Sequence, residues 1–232
     1  MIKLFKIKSL LPVTEYAPRW DISIGVKRWD EEDKVDAIRN WLIANEDRIK
    51  KDYPALHDGG TGLGNESVTS RFGRYNLFDF QDECPELKDL LNFLRLTWVE
   101  FVEKDNTQLL DLDIVCWFNI VRENQTIIEH SHGAVPSGYL SGNMHLDDYE
   151  TCTLYRTPFL AQNYMPIQNM KGGVSLFPSY VFHKTDEYKD STKPRLSIAF
   201  DLRLPNDVDQ FLKAIPFMNP SIFDEVIKRR IR

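Results

Sequence analysis

The chain has 232 residues, of which 42% are apolar, and its 35 acidic against 29 basic side chains give a net charge of −6. That apolar share supports one substantial core, and the length suits a single all-β or α+β domain, 1–232, rather than two independent ones. The acidic balance excludes an electrostatic footprint for nucleic acid or an anionic membrane, and no apolar run reaches the roughly 18 residues a membrane span needs.

From the N-terminus, Met1-Ile-Lys-Leu-Phe-Lys-Ile-Lys lacks the continuous apolar stretch of a signal peptide, so a cytoplasmic location is expected. Residues 30–52 read as an amphipathic helix, with Val35, Ile38, Trp41 and Leu42 at helical spacing. Residues 54–75 hold Gly59, Gly60, Gly62, Gly64 and Gly73 among Thr, Ser and Asn, the composition of a long functional loop. No Gly-Lys-Ser/Thr follows, which argues against a phosphate cradle and for a lid over a site, where Arg71 and Arg74 could close on a ligand. A second helix is expected over 86–104, with Leu87, Leu90, Leu91, Leu94, Trp98 and Phe101 facing inward.

Beyond residue 112 the texture changes to short strands. Residues 114–121 form a mostly apolar strand, with Trp117 and Asn119 on a common face. In 137–146, Leu140, Met144 and Leu146 fall on one face while Tyr139, Ser141, Asn143 and His145 fall on the other. Residues 174–177 make a brief buried strand. The cleanest alternation is 195–203, where Leu196, Ile198, Phe200 and Leu202 oppose Arg195, Ser197, Ala199, Asp201 and Arg203. Two helices are expected at the end, over 206–214 and 221–231. The basic cluster Lys228, Arg229, Arg230 and Arg232 reads as a solvated helix end. The chain thus divides into a helical N-terminal region (1–112), a strand-rich core (113–204) and C-terminal helices (205–232). Helices followed by strands predict a sandwich with helices on one outer face, and the polar strand faces then line an interior between the sheets.

Cys84, Cys116 and Cys152 are isolated and lack metal-finger spacing, so reduced thiols are expected. The histidines carry more. His130 and His132 are two apart, so in extended backbone both imidazoles point to one side. His183 follows 53 residues later, and Arg195 twelve residues after that. Imidazole nitrogen suits iron(II), zinc and copper alike.

In that order the sequence resembles the 2-oxoglutarate/iron(II) oxygenase superfamily over about residues 113–204. It looks most like those short members with His-x-His where most relatives show His-x-Asp. The likeness runs through Trp117-Phe-Asn-Ile-Val-Arg-Glu-Asn-Gln-Thr-Ile-Ile-Glu-His130-Ser-His132, Ser141-Gly142, Gly173-Val-Ser-Leu-Phe-Pro178, His183 and Arg195-Leu-Ser197. Relatives often carry a turn glycine six residues before the first metal histidine, where this chain has Asn124, a residue that tolerates the same geometry.

The resemblance implies a double-stranded β-helix (jelly roll), α+β but mainly β, with N-terminal helices packed on one sheet. It implies an iron(II) site at His130, His132 and His183, and 2-oxoglutarate held by Arg195 and Ser197. Asn143, on the polar strand face with Tyr139 and His145, is a further candidate for the co-substrate pocket. The activity implied is a dioxygenase of hydroxylase type, which consumes O2 and 2-oxoglutarate and oxidises a small molecule or a side chain. His132 stands where relatives place a carboxylate, so Asp147 and Asp148 are alternative sources of one. A two-residue shift, with His132 as first ligand and Ala134 as a vacancy for chloride, conflicts with the offset from Asn124. Two other readings remain: a cupin-like three-histidine dioxygenase without 2-oxoglutarate, and a non-catalytic jelly roll that binds a partner.

Overall fold

A computed structural model describes residues 1–9, 11–16, 21–133, 137–157, 164–205 and 212–230. The alternating segment forms strand β9 (Arg195–Arg203), deep in a seven-stranded antiparallel sheet. Its neighbours are β3 (Leu112–Val121) and β4 (Gly138–His145), followed outward on the β4 side by β7 (Gly173–Pro178), β2 (Asp21–Arg28) and β1 (Lys3–Lys8), while β10 (Ile215–Met218) pairs the far edge of β3. A second sheet has the order β6 (Tyr164–Gln168), β5 (Cys152–Arg156), β8 (His183–Thr185).

The two faces of β9 explain the layering. Leu196, Ile198, Phe200 and Leu202 are fully buried and join one large core with α1 (Glu32–Asp52) and α2 (Glu86–Asp105). Val35, Ile38 and Leu42 of α1 and Leu87, Leu90, Leu94 and Trp98 of α2 supply the helical side of that core. A buried leucine or phenylalanine contributes roughly 1.5–3 kcal/mol, so this layer dominates stability. The opposite face of β9 carries the polar residues and looks toward the second sheet. Two small apolar clusters bridge the sheets there, one around Tyr155, Phe177 and Val181 and the other around Val121, Ile127, Tyr149 and Tyr188.

Several elements depart from expectation. The N-terminal region is not purely helical, because β1 and β2 precede α1 and complete the main sheet. Lys3, Lys6 and Lys8 protect the edge strand β1 and mask its pattern. Of the helix expected over 206–214, residues 206–211 lie outside the described residues, and the following chain becomes β10, an edge strand that tolerates Pro216. The last helix is α3 (Pro220–Arg230). The side chains of Arg229, Arg230 and Arg232 lie outside the described residues. Cys84 and Cys116 are buried and Cys152 is half-buried, all three as free thiols. Among the described residues no helix is long and apolar enough to cross a membrane.

Gly142 on β4 faces Phe200 across the strand pair. A Cβ there would come within 2.2 Å of Phe200 Cζ and 2.8 Å of the Ser175 carbonyl. Gly142→Ala should therefore cost roughly 1–3 kcal/mol, read as a lower urea midpoint at unchanged slope.

Candidate functional site

The site is assembled by backbone pairing outside the regular strands. Asn124 adopts the left-handed conformation, with φ 61°, so the turn reading holds. The chain then runs antiparallel to β8. Thr185 N donates to Ile127 O at 3.0 Å, and His130 and His183 exchange two bonds, N to O, of 3.0 and 2.9 Å. His132 N donates to Ser179 O at 3.0 Å. This pairing puts all three rings together: centroids are 4.4 Å apart for His130–His183, 5.2 Å for His132–His183 and 5.4 Å for His130–His132. One nitrogen from each lies within 4.8 Å of the other two, a spacing that fits a shared ion with bonds of about 2 Å.

The ring orientations are constrained as well. His130 Nδ1 lies 2.9 Å from the Ile128 carbonyl and His183 Nδ1 lies 3.1 Å from the Val181 carbonyl. A carbonyl only accepts, so each Nδ1 carries the proton and Nε2 keeps its lone pair. His132 Nδ1 is 2.5 Å from Asp201 Oδ1, which orients the third ring in the same sense. Burial and the neighbouring His132 lower the pKa of His130 to about 4, and burial beside both other rings holds His183 well below its ordinary value. Neutral imidazoles with free Nε2 atoms are what a divalent metal requires.

Beyond the histidines a narrow cavity extends between the sheets, lined among others by Asn119, Asn143, His145, Thr185 and Ser197. Arg195 lies behind Thr185, which accepts from its guanidinium at 2.6 Å; Thr151 Oγ1 and the Asp186 carbonyl accept at 3.2 and 3.1 Å. The residue is 2% exposed and lies over the Tyr188 ring, and no ion pair among the described residues engages it. Burial lowers its pKa to about 10, so it stays charged. A guanidinium has five N–H donors, three bonds are made, and two remain for an anion. The Asp186 carboxylate acts on this cation electrostatically without forming an ion pair, and a bound carboxylate would relieve more of the cost of burying it. The donor set thus fits both a divalent metal and a dicarboxylate.

Ser197 accepts from Asn119 Nδ2 at 3.4 Å and lines the same cavity. Asn143 lines it too, but its amide is tied to Tyr155 and Ser175 at 3.0 and 2.8 Å. His145 faces the cavity and Thr153 Oγ1 at 3.3 Å; burial, with the nearby Arg195 charge, lowers its pKa to about 3. Tyr139 does not join this face. A register shift between Gly138 and Leu140 turns it toward α2, beside Trp98 and Thr107. Asp147 instead pairs with Lys193 and Arg39, and Asp148 accepts from Lys171 N, so neither carboxylate joins the histidines. Ala134 lies outside the described residues.

On the other side of the histidines a cleft of about 330 Å³ opens to solvent. Trp117 and Phe72, 5.7 Å apart, form an aromatic wall with His57, and Asp201 and Arg203 supply polar groups. The Gly-rich loop forms one side of this cleft through Gly59, Thr61, Thr69 and Phe72. Thr61 O accepts from Ile128 N at 2.9 Å, which docks the loop on the histidine segment. Arg71 does not reach for a ligand; its guanidinium binds the carbonyls of Asn65 and Ser67 and the hydroxyl of Ser70 within the loop. Sequence reasoning missed Asp201 as a site residue. Its alternation with Arg195 and Ser197 was the available signal, since all three share a face of β9.

Residues 115–201 match the family model described as "Putative 2OG-Fe(II) oxygenase". None of the curated proteins matches the chain in sequence. Among solved structures, a prolyl-4-hydroxylase from Pseudomonas putida is similar at TM-score 0.53 and 13% identity, over 79% of this chain and 93% of that one. The non-heme alpha ketoglutarate dependent carbocyclase SnoK from nogalamycin biosynthesis follows at TM-score 0.51 and 11% identity, over 82% and 84%. EvdO2 from Micromonospora carbonacea var. aurantiaca gives TM-score 0.51 and 11% identity, over 81% and 89%. The jelly-roll fold is shared with these structures, and the likeness to 2-oxoglutarate/iron(II) oxygenases read from the sequence holds for the core. Residues 115–201 are thus similar to the core of 2OG-Fe(II) oxygenases, a family that uses iron(II), 2-oxoglutarate and O2.

The depressed histidine pKa values have a consequence for the metal-free protein. His130, His145 and His183 stay neutral when folded but take up protons near pH 6.5 when unfolded. Stability is therefore complete above pH 6.5 and should fall as pH drops from 6.5 toward 4. Urea midpoints of the metal-free protein across that range check this; a flat profile would contradict the burial of the three rings.

Proposed function

We propose that this protein is a 2-oxoglutarate-dependent oxygenase of hydroxylase type, acting on a small molecule or a side chain, with His130, His132 and His183 as its iron ligands. The observation that carries the reading is the convergence of three imidazoles beside a buried arginine that no ion pair among the described residues engages. Iron(II) and 2-oxoglutarate, when bound, supply O2 activation coupled to decarboxylation of the co-substrate to succinate and CO2. The chain's own groups do the positioning. Three Nε2 atoms hold the metal, each fixed by a partner at Nδ1. Arg195 grips the distal carboxylate through two parallel N–H bonds, with Ser197 one pleat away on the same strand face. Asn143 lines the co-substrate's path with its amide pre-oriented by Tyr155 and Ser175. Trp117 and Phe72 present an apolar wall to the substrate in the cleft.

The all-histidine ligand set also suits a cupin-like dioxygenase that needs no 2-oxoglutarate, but the two N–H groups that buried Arg195 keeps beyond its bonds to Thr151, Thr185 and Asp186 favour the 2-oxoglutarate reading. Anaerobic titration with iron(II) and 2-oxoglutarate separates the two readings. The expected result is a visible charge-transfer band from the chelate; metal binding without that band favours the cupin-like site. Arg195→Ala should weaken 2-oxoglutarate binding about 10–100-fold while leaving metal affinity unchanged, as loss of a charge-assisted pair worth roughly 1.5–3 kcal/mol implies. His183→Ala should abolish metal binding by isothermal titration, and retention of native affinity would remove His183 from the ligand set.

A further inference from the structure

Resting on the reading that the three imidazoles hold the metal, we infer that Asp201 is a positioning residue that delivers, through His132, the negative charge absent from the ligand set itself. Three neutral imidazoles leave a divalent ion with its full charge. Among the described residues no carboxylate joins the three-histidine group. One does stand directly behind it. Asp201 Oδ1 lies 2.5 Å from His132 Nδ1, whereas His130 and His183 rest their Nδ1 atoms on uncharged carbonyls. The carboxylate therefore backs only the ring at the position where a carboxylate is expected to ligate.

The arrangement is built rather than incidental. Asp201 projects from the centre of the sheet, its β9 backbone paired with Val115 on one side and Ser141 on the other. Ser141 Oγ donates to the same Oδ1 at 2.6 Å and lies 3.1 Å from Ser179 Oγ. Ser179 in turn accepts the His132 backbone N–H through its carbonyl. Ring and backbone of His132 are thus tied into one network, so the imidazole cannot turn without breaking it. A carboxylate on Nδ1–H draws the proton toward itself and raises electron density at Nε2, which makes that ring the most strongly donating of the three. The charge is moved one imidazole away from the metal, and the ligand position it vacates stays a nitrogen.

Cobalt(II), titrated anaerobically and followed by its visible absorption, is the probe. Asp201→Asn keeps an oxygen acceptor but removes the charge, and it should weaken cobalt(II) binding about 10–100-fold relative to the native protein. In a His132→Asp background, where the charge is supplied directly, the same Asp201→Asn change should cost nothing or improve binding. Affinity within threefold of native for Asp201→Asn, or an equal loss in both backgrounds, would overturn the inference. A measurement on the native chain covers the case in which the variant does not fold. In the zinc-loaded protein the His132 Nδ1 proton should resonate downfield of those of His130 and His183, and coincident signals would equally overturn it. Failure of the native protein to bind cobalt(II) or zinc at all would instead remove the metal site, and the role of Asp201 with it.

Discussion

The site depends on one backbone contact, the reciprocal pair of hydrogen bonds between His130 and His183. Residues 53 apart in sequence become cross-strand partners, and His132 follows automatically because extended backbone returns every second side chain to the same side. The contact needs support on both flanks. Thr185 and Ile127 provide it on one, and Ser179 with His132 on the other, so the rings are carried on a short ladder rather than on a free loop. Each Nδ1 then meets an acceptor that belongs to the same framework, and the three Nε2 atoms are fixed in direction by it.

The interior between the sheets is polar because the helices occupy the other face of the main sheet. Burying Leu196, Ile198, Phe200 and Leu202 against α1 and α2 commits Arg195, Ser197, Asp201 and Arg203 to the inside. Such a set would be ruinous in an ordinary core. Here each group has a defined role toward a ligand or another side chain: Thr185 and Thr151 hold Arg195, Asn119 meets Ser197, Ser141 meets Asp201, and Ser137 meets Arg203. The polar interior and the apolar helical layer are two sides of one alternating sequence.

Much of this was readable in the amino-acid order. The pattern of β9 is a strict alternation, and His130, His132, His183 and Arg195 keep their order and spacing without regard to loop detail. What was hidden has local causes. The edge strand β1 is interleaved with lysine, β8 is only three residues long, and β10 contains proline, so each falls below the pattern that marks a strand. Tyr139 looked like a cavity residue because period-two counting assumes no bulge, and the shift between Gly138 and Leu140 breaks that assumption. Asp201 was legible only as one member of the polar face of β9, because a lone acid reads the same whether it faces water or an imidazole.

The placement of functional groups along β9 makes the strand a ruler. From Arg195 to Arg203, alternate side chains reach from the closed end of the interior to the open cleft at about 3.3 Å per residue. A one-residue slip of its register would exchange every one of these groups for a neighbour from the core face at once. Such a strand cannot drift in small steps, so diversification of what this scaffold accepts is channelled into the Gly-rich segment and the other chain that borders the cleft mouth.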